Sequence, residues 1–139
     1  MAYYNKIGLL VLNENQTKFL VCEKSQEDMT TDYIMPGGQI ESGEDDLQCL
    51  KREIKEELNC EINYDSLEFV GEYTGPAAGA EDRELYMKLY KGSLIGIPKP
   101  SDEIKFIHWI GKVDMTNPKV SLFIKTRILP DLIKRSILK

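Results

Sequence analysis

Carboxylates crowd one short part of this chain. Within residues 36–62, "PGGQIESGEDDLQCLKREIKEELNCEI", stand Glu41, Glu44, Asp45, Asp46, Glu53, Glu56 and Glu57, against the basic Lys51, Arg52 and Lys55. On a helix, Glu53 falls one turn before both Glu56 and Glu57. Like charges at those spacings each destabilise an isolated helix by about 0.2–0.5 kcal/mol, so the grouping opposes folding unless a cation compensates it. Carboxylate oxygens with no His or Cys among them suit Mg2+ or Mn2+ better than zinc. Mg2+ takes one or two carboxylates, keeps several waters and completes its shell with phosphate oxygens, so this ligand type leads to phosphate chemistry. The competing reading is a solvated face laced by its own lysines and arginine.

Those carboxylates need a rigid support, and the apolar pattern supplies one. Leu47, Leu50, Ile54 and Leu58 recur at spacings of 3, 4 and 4, the period of one helix face, which predicts a helix over residues 45–58 with the carboxylates beside the buried stripe. Ser42, three residues before Asp45, is the expected N-cap, and the acidic first turn suits the helix dipole. Cys49 reads as a packing thiol. Upstream, residues 7–12 and 19–22 are short apolar runs joined by the polar "NENQTK", read as an antiparallel hairpin, and residues 23–32 read as an exposed loop able to act as a rim or lid. Downstream, "CEINY", "LEFVGEYT", "RELYMKLYKGSL" and "EIKFIHWI" read as four strands, with Trp109 in the core. "TNPKVSLFIKTRIL" reads as a helix capped by Asn117 with Pro118 at its first position and interrupted at Pro130. Strands, helix, strands, helix gives an α/β/α sandwich with a mixed β-sheet between helices, as one domain over residues 1–139.

The composition narrows the function. With 139 residues and 42% hydrophobic content, one sizeable core can be buried. A net charge of -5 argues against coating nucleic acid, which is bound through an excess of Lys and Arg, so no stable nucleic-acid complex is expected. Cys22, Cys49 and Cys60 form no CxxC pair and have only His108 as a histidine companion, so they read as reduced thiols of a cytoplasmic protein. No apolar run approaches the length of a membrane span.

The stretch resembles the box of the Nudix hydrolases, G-x5-E-x7-R-E-U-x-E-E-x-G-U with U apolar. Gly38, Glu44, Arg52, Glu53, Ile54, Glu56, Glu57 and Cys60 fill it in register, and Asn59 stands where the family has Gly. That position ends the helix and calls for left-handed backbone, which Asn tolerates. The resemblance implies a Mg2+-dependent pyrophosphohydrolase, with Mn2+ as substitute, acting on a small nucleotide as monomer or homodimer. It implies Glu53, Glu56 and Glu57 as metal ligands, joined by a carbonyl of the Gly37–Gly38 turn, with Arg52 orienting the carboxylates and Glu44 supporting them. The general base is Glu53 or Glu103. The substrate is a nucleoside triphosphate or oxidised nucleotide; the alternative is ADP-ribose or a dinucleotide, for which Pro76, 16 residues after Cys60, is the hint. Tyr3, Tyr4, Tyr73 and Tyr86 are candidate stacking partners for a base, and Asn117 could reach a base edge as readily as cap a helix. From another class comes a catalytically silent nucleotide sensor, which the full carboxylate set disfavours. A prenyl diphosphate isomerase is disfavoured because no catalytic cysteine stands out beside the helix.

Overall fold

A computed structural model describes residues 3–24 and 32–139. The loop expected at residues 23–32 falls outside the described residues over 25–31. The strands are β1 (Tyr4–Leu10), β2 (Phe19–Lys24), β3 (Tyr33–Ile34), β4 (Gly37–Gln39), β5 (Glu61–Ala77), β6 (Ala80–Ile95) and β7 (Ile104–Ile110). Helix α1 spans Asp46–Leu58, and α2 spans Leu129–Lys134. Two sheets form, a mixed one ordered β4-β1-β6-β5 and an antiparallel one ordered β3-β2-β7.

The core explains why the first strands read as unbroken apolar runs. Ile7, Leu9, Leu20 and Cys22 pack with Leu50, Ile54 and Leu58 of α1, whereas Leu10, Phe19 and Val21 pack with Phe123, Ile128 and Leu132 at the other helix. Each strand is thus buried on both faces, and the sheets lie between helices as an α/β/α sandwich. Burying each of Leu50, Ile54 and Leu58 completely contributes roughly 1.5–3 kcal/mol, which is what fastens α1.

Several expectations need correction. The chain does turn back at "NENQTK", where Leu12 bridges Phe19 antiparallel and the Asn13 and Leu20 N–H groups donate to the Lys18 and Val11 carbonyls, but β1 and β2 then enter different sheets, β1 between β4 and β6. "CEINY" and "LEFVGEYT" are one strand, β5, whose pairing with β6 is irregular between Asn63 and Glu68 and between Phe69 and Gly71. Trp109 is 41% exposed and not core. The N-cap of α1 is Asp45 in place of Ser42; its carboxylate accepts from the Gln48 N–H while the Gln48 side chain accepts from the Asp45 N–H, a closed capping box.

Asn117 caps no α-helix. It ends a short 3-10 turn, Lys112–Thr116, where its amide donates to Asp114 and its oxygen accepts the Lys119 N–H. The helical segment begins later, where Ser121 Oγ accepts the Ile124 N–H. Pro130 does not interrupt it either. A wide π turn, Ile124–Ile128, precedes α2, and in it the Leu129 N–H reaches back to the Ile124 carbonyl. Proline lacks an N–H and crowds the carbonyl four residues before it, and the wide turn relieves both problems.

Candidate active site

Helix α1 is rotated relative to the face read from its leucines. Leu47 is 45% exposed, while Cys49, Leu50, Ile54, Glu57 and Leu58 are buried. The buried arc is therefore centred nearer Glu57 than Leu47, so the three carboxylates are graded by depth. Glu57 is 8% exposed, the Glu53 side chain 15%, and the Glu56 side chain 47%.

Strand β4 lies against this graded face because its first two residues carry no side chain. Gly37 has a φ of +132°, and a Cβ there would stand 2.1 Å from the Ile7 carbonyl oxygen. A Cβ on Gly38 would stand 2.3 Å from the Glu53 carboxyl carbon. Only glycine permits both approaches. The Gly37 N–H donates to Glu57 Oε1 at 2.9 Å, tying β4 to α1. Past the helix, Asn59 adopts the expected left-handed conformation, with φ 53° and ψ 39°.

Behind the carboxylates lies a guanidinium clamp. Arg52 donates to both oxygens of Glu44, at 2.7 and 3.0 Å, to Glu53 Oε1 at 2.7 Å and to the Gln39 carbonyl at 3.2 Å. The fork of Arg52 holds Glu44 well below the usual carboxylate range, at about 2, helped by the Glu41 N–H. Glu53 feels two opposed influences: burial raises its pKa and Arg52 pulls it back, leaving it above normal. Glu57 has no such partner, and burial pushes its carboxyl up to about 8, aggravated by Glu53 and only partly offset by the Gly37 N–H, Lys24 and Lys6.

These groups open onto a cavity of about 490 Å3. Along the sheet it runs from Gly37 and Gly38 of β4, which touch Glu57 and Glu53 of α1, across β1 to the apolar Leu85 and Met87 of β6; Glu56, Met35 and Phe123 also line it. Tyr4 and Glu103 also line it, with Glu103 at the rim, its side chain 63% exposed and 3.8 Å from Lys24. Three of the expected substrate contacts are elsewhere. Tyr73 is buried and donates its hydroxyl to Asp131 at 2.5 Å, which makes it a tie between β5 and α2. Pro76 borders a separate shallow cleft, and Asn117 is engaged by Asp114 and Lys119. Lys6, Lys24 and Met87, which face the cavity, went unmarked in the sequence because a lysine or methionine in a strand looks the same whether it faces water or a site.

Among the described residues, no three His, Cys, Asp or Glu side chains converge tightly enough to hold a metal by themselves. Mg2+ does not demand such a cage, since waters and phosphate oxygens supply most of its shell. A buried, proton-loving Glu57 beside a desolvated Glu53 is the donor set that a hard divalent ion would relieve, so these residues fit it. The same described residues contain no helix long and apolar enough to cross a membrane.

Comparison with known proteins agrees with this fold. The family model described as NUDIX domain matches residues 3–132. Among solved structures, the chain is similar to a MutT protein from Methanosarcina mazei Go1, with a TM-score of 0.75 and 17% identity over 99% of this chain and 97% of that one. It is similar to the E. coli ORF135 protein, with a TM-score of 0.70 and 17% identity over 97% and 91% of the two chains. A nudix hydrolase family member from Chromobacterium violaceum gives a TM-score of 0.69 and 24% identity over 94% of this chain and 77% of that one. No curated protein matches in sequence.

Proposed function

The chain belongs to the Nudix hydrolase family, and on that premise we propose that it is a Mg2+-dependent pyrophosphohydrolase cleaving a diphosphate linkage in a nucleoside triphosphate or oxidised nucleotide. The observation that carries this reading is Glu57, a carboxylate buried next to Glu53 at the head of a cavity whose far wall is apolar. Such a chamber matches a molecule with an anionic diphosphate at one end and a flat, weakly polar group at the other.

Glu53, Glu56 and Glu57, with a carbonyl of the Gly37–Gly38 turn, are the groups that would hold Mg2+, or Mn2+ in its place. When bound, the ion supplies Lewis acidity toward the diphosphate oxygens and lowers the pKa of water. Arg52 fixes the Glu53 carboxylate through one oxygen and leaves the other free. Because Glu53 is held by Arg52 and assigned to the metal, Glu103 at the cavity rim is the better-placed proton acceptor for the attacking water. Tyr4 flanks the apolar end, where a base would lie. Pro76, the sequence hint for the ADP-ribose alternative, borders the separate cleft, while the next two residues, Ala77 and Ala78, line this cavity. Three buried free thiols accord with a reducing, cytoplasmic setting.

The test is a panel of nucleoside triphosphates, oxidised nucleotides, ADP-ribose and dinucleoside polyphosphates, assayed in Mg2+ and in EDTA with products identified by mass. Metal-dependent cleavage of a triphosphate or oxidised nucleotide supports the reading. Cleavage of none sinks it and favours a silent nucleotide-binding module, which nucleotide binding without turnover would reveal.

A further inference from the structure

Lys6 occupies an unusual place in the cavity. It lies on β1, opposite Gln39 of β4 on one side and Met87 of β6 on the other, between the carboxylate end and the apolar end. It is half-buried, and among the described residues its ammonium makes no hydrogen bond and no ion pair; it stands 5.6 Å from the centre of the Tyr4 ring. Burial and the charge of Lys24, which faces the same cavity, both disfavour its protonated form, while Glu57 and Glu53 favour it from beyond pairing distance. A desolvated ammonium without a partner costs stability, and two lysines facing one cavity add to that cost. A lysine serving the fold would reach a carboxylate or open water.

We propose that Lys6 is a substrate-binding residue whose ammonium takes the phosphate adjoining the carried group, between the carboxylate end and the apolar wall of the cavity. This rests on the pyrophosphohydrolase reading and deepens it. The metal-side carboxylates address the outer part of the phosphate chain, whereas Lys6 stands where that chain meets the group it carries. Lys6 then selects against molecules that bring no anion to that junction, and its charge is neutralised only when substrate is bound.

Binding of α,β-methylene-ADP, AMP and adenosine, measured by calorimetry in Mg2+, tests this with Lys6→Met, Lys6→Arg and the surface control Lys51→Met. Lys6→Met is expected to weaken α,β-methylene-ADP and AMP by about tenfold to a hundredfold, the range of a charge-assisted hydrogen bond, and to leave adenosine unchanged. Lys6→Arg retains most of the affinity. A thermal melt supplies the second readout: Lys6→Met should melt at a higher temperature than the wild-type protein, because it removes an unpaired charge, whereas loss of a structural lysine would lower it. Unchanged α,β-methylene-ADP affinity in Lys6→Met overturns the inference and leaves the hydrolase reading standing. Loss confined to α,β-methylene-ADP, with AMP unaffected, overturns the assignment to the adjoining phosphate. Failure of the wild-type protein to bind any of the phosphorylated compounds overturns both.

Discussion

Arg52 and Glu44 form a two-pronged ion pair, at 2.7 and 3.0 Å, that joins the loop before α1 to the helix itself. The pair also fixes where Glu53 points, because a third branch of the same guanidinium holds Glu53 Oε1. Glu44 has a folded pKa of about 2, below its ordinary 4.5, so its contribution to stability is full above pH 4.5 and is lost as the pH falls toward 2. Glu44→Gln should therefore flatten the acid limb of the stability curve between those values and lower turnover at neutral pH. Urea unfolding across pH 2 to 6 measures the first effect; an acid limb identical to the wild type would disconnect the pair from stability.

Glu57 behaves in the opposite sense. Its folded pKa of about 8 lies above the ordinary 4.5, so in metal-free protein its contribution is full below pH 4.5 and disappears as the pH rises toward 8. Melting temperatures in EDTA should carry this falling component, and Glu57→Gln should remove it. Added Mg2+ should stabilise the wild-type protein more at pH 8 than at pH 6, since proton and metal compete for the same carboxylate.

Gly38→Ala puts a methyl group on the Glu53 carboxylate, which must swing away. Turnover should fall at least tenfold with only a modest loss of stability, on the order of 1 kcal/mol, because the side chain at fault is flexible. Turnover within twofold of wild type would show that the position of Glu53 is unimportant.

Glu103→Gln should lower kcat by about a hundredfold or more, the usual weight of general base catalysis, while the metal concentration for half-activation stays near its wild-type value. A parallel loss of metal affinity would move Glu103 into the ligand set and return Glu53 to consideration as the base.

Tyr73→Phe should destabilise the protein by about 1–3 kcal/mol, through loss of a hydrogen bond to the Asp131 carboxylate, and leave KM alone. A raised KM would return Tyr73 to the substrate-binding residues.

The helix carrying the carboxylates was legible because capping, period and charge all point one way over thirteen residues. Its rotation was not, since Leu47 and Cys49 compete for the margin of the buried arc and hydrophobicity alone favours the leucine. The left-handed conformation of Asn59 could be read because chirality leaves few residues able to end a helix that way. Strand partnership stayed hidden: residues buried on both faces of a strand give no clue to the sheet they join, and β1 and β2 part after one bridge. Proline punctuates sequence strongly, yet Pro130 lies within the final helical segment because a π turn, which leaves no pattern in residue type, precedes it.

The final helical segment has one more consequence. Arg127 donates to the Thr74 carbonyl at 2.7 Å and Arg135 to the Val70 carbonyl at 2.8 Å, both on β5, the outermost strand of its sheet. Two of the six lysines and arginines from Asn117 onward thus hold carbonyls of a strand that has a sheet neighbour on one side only. The final helical segment is thereby fastened to β5 by two guanidinium–carbonyl bonds as well as by the Tyr73–Asp131 bond.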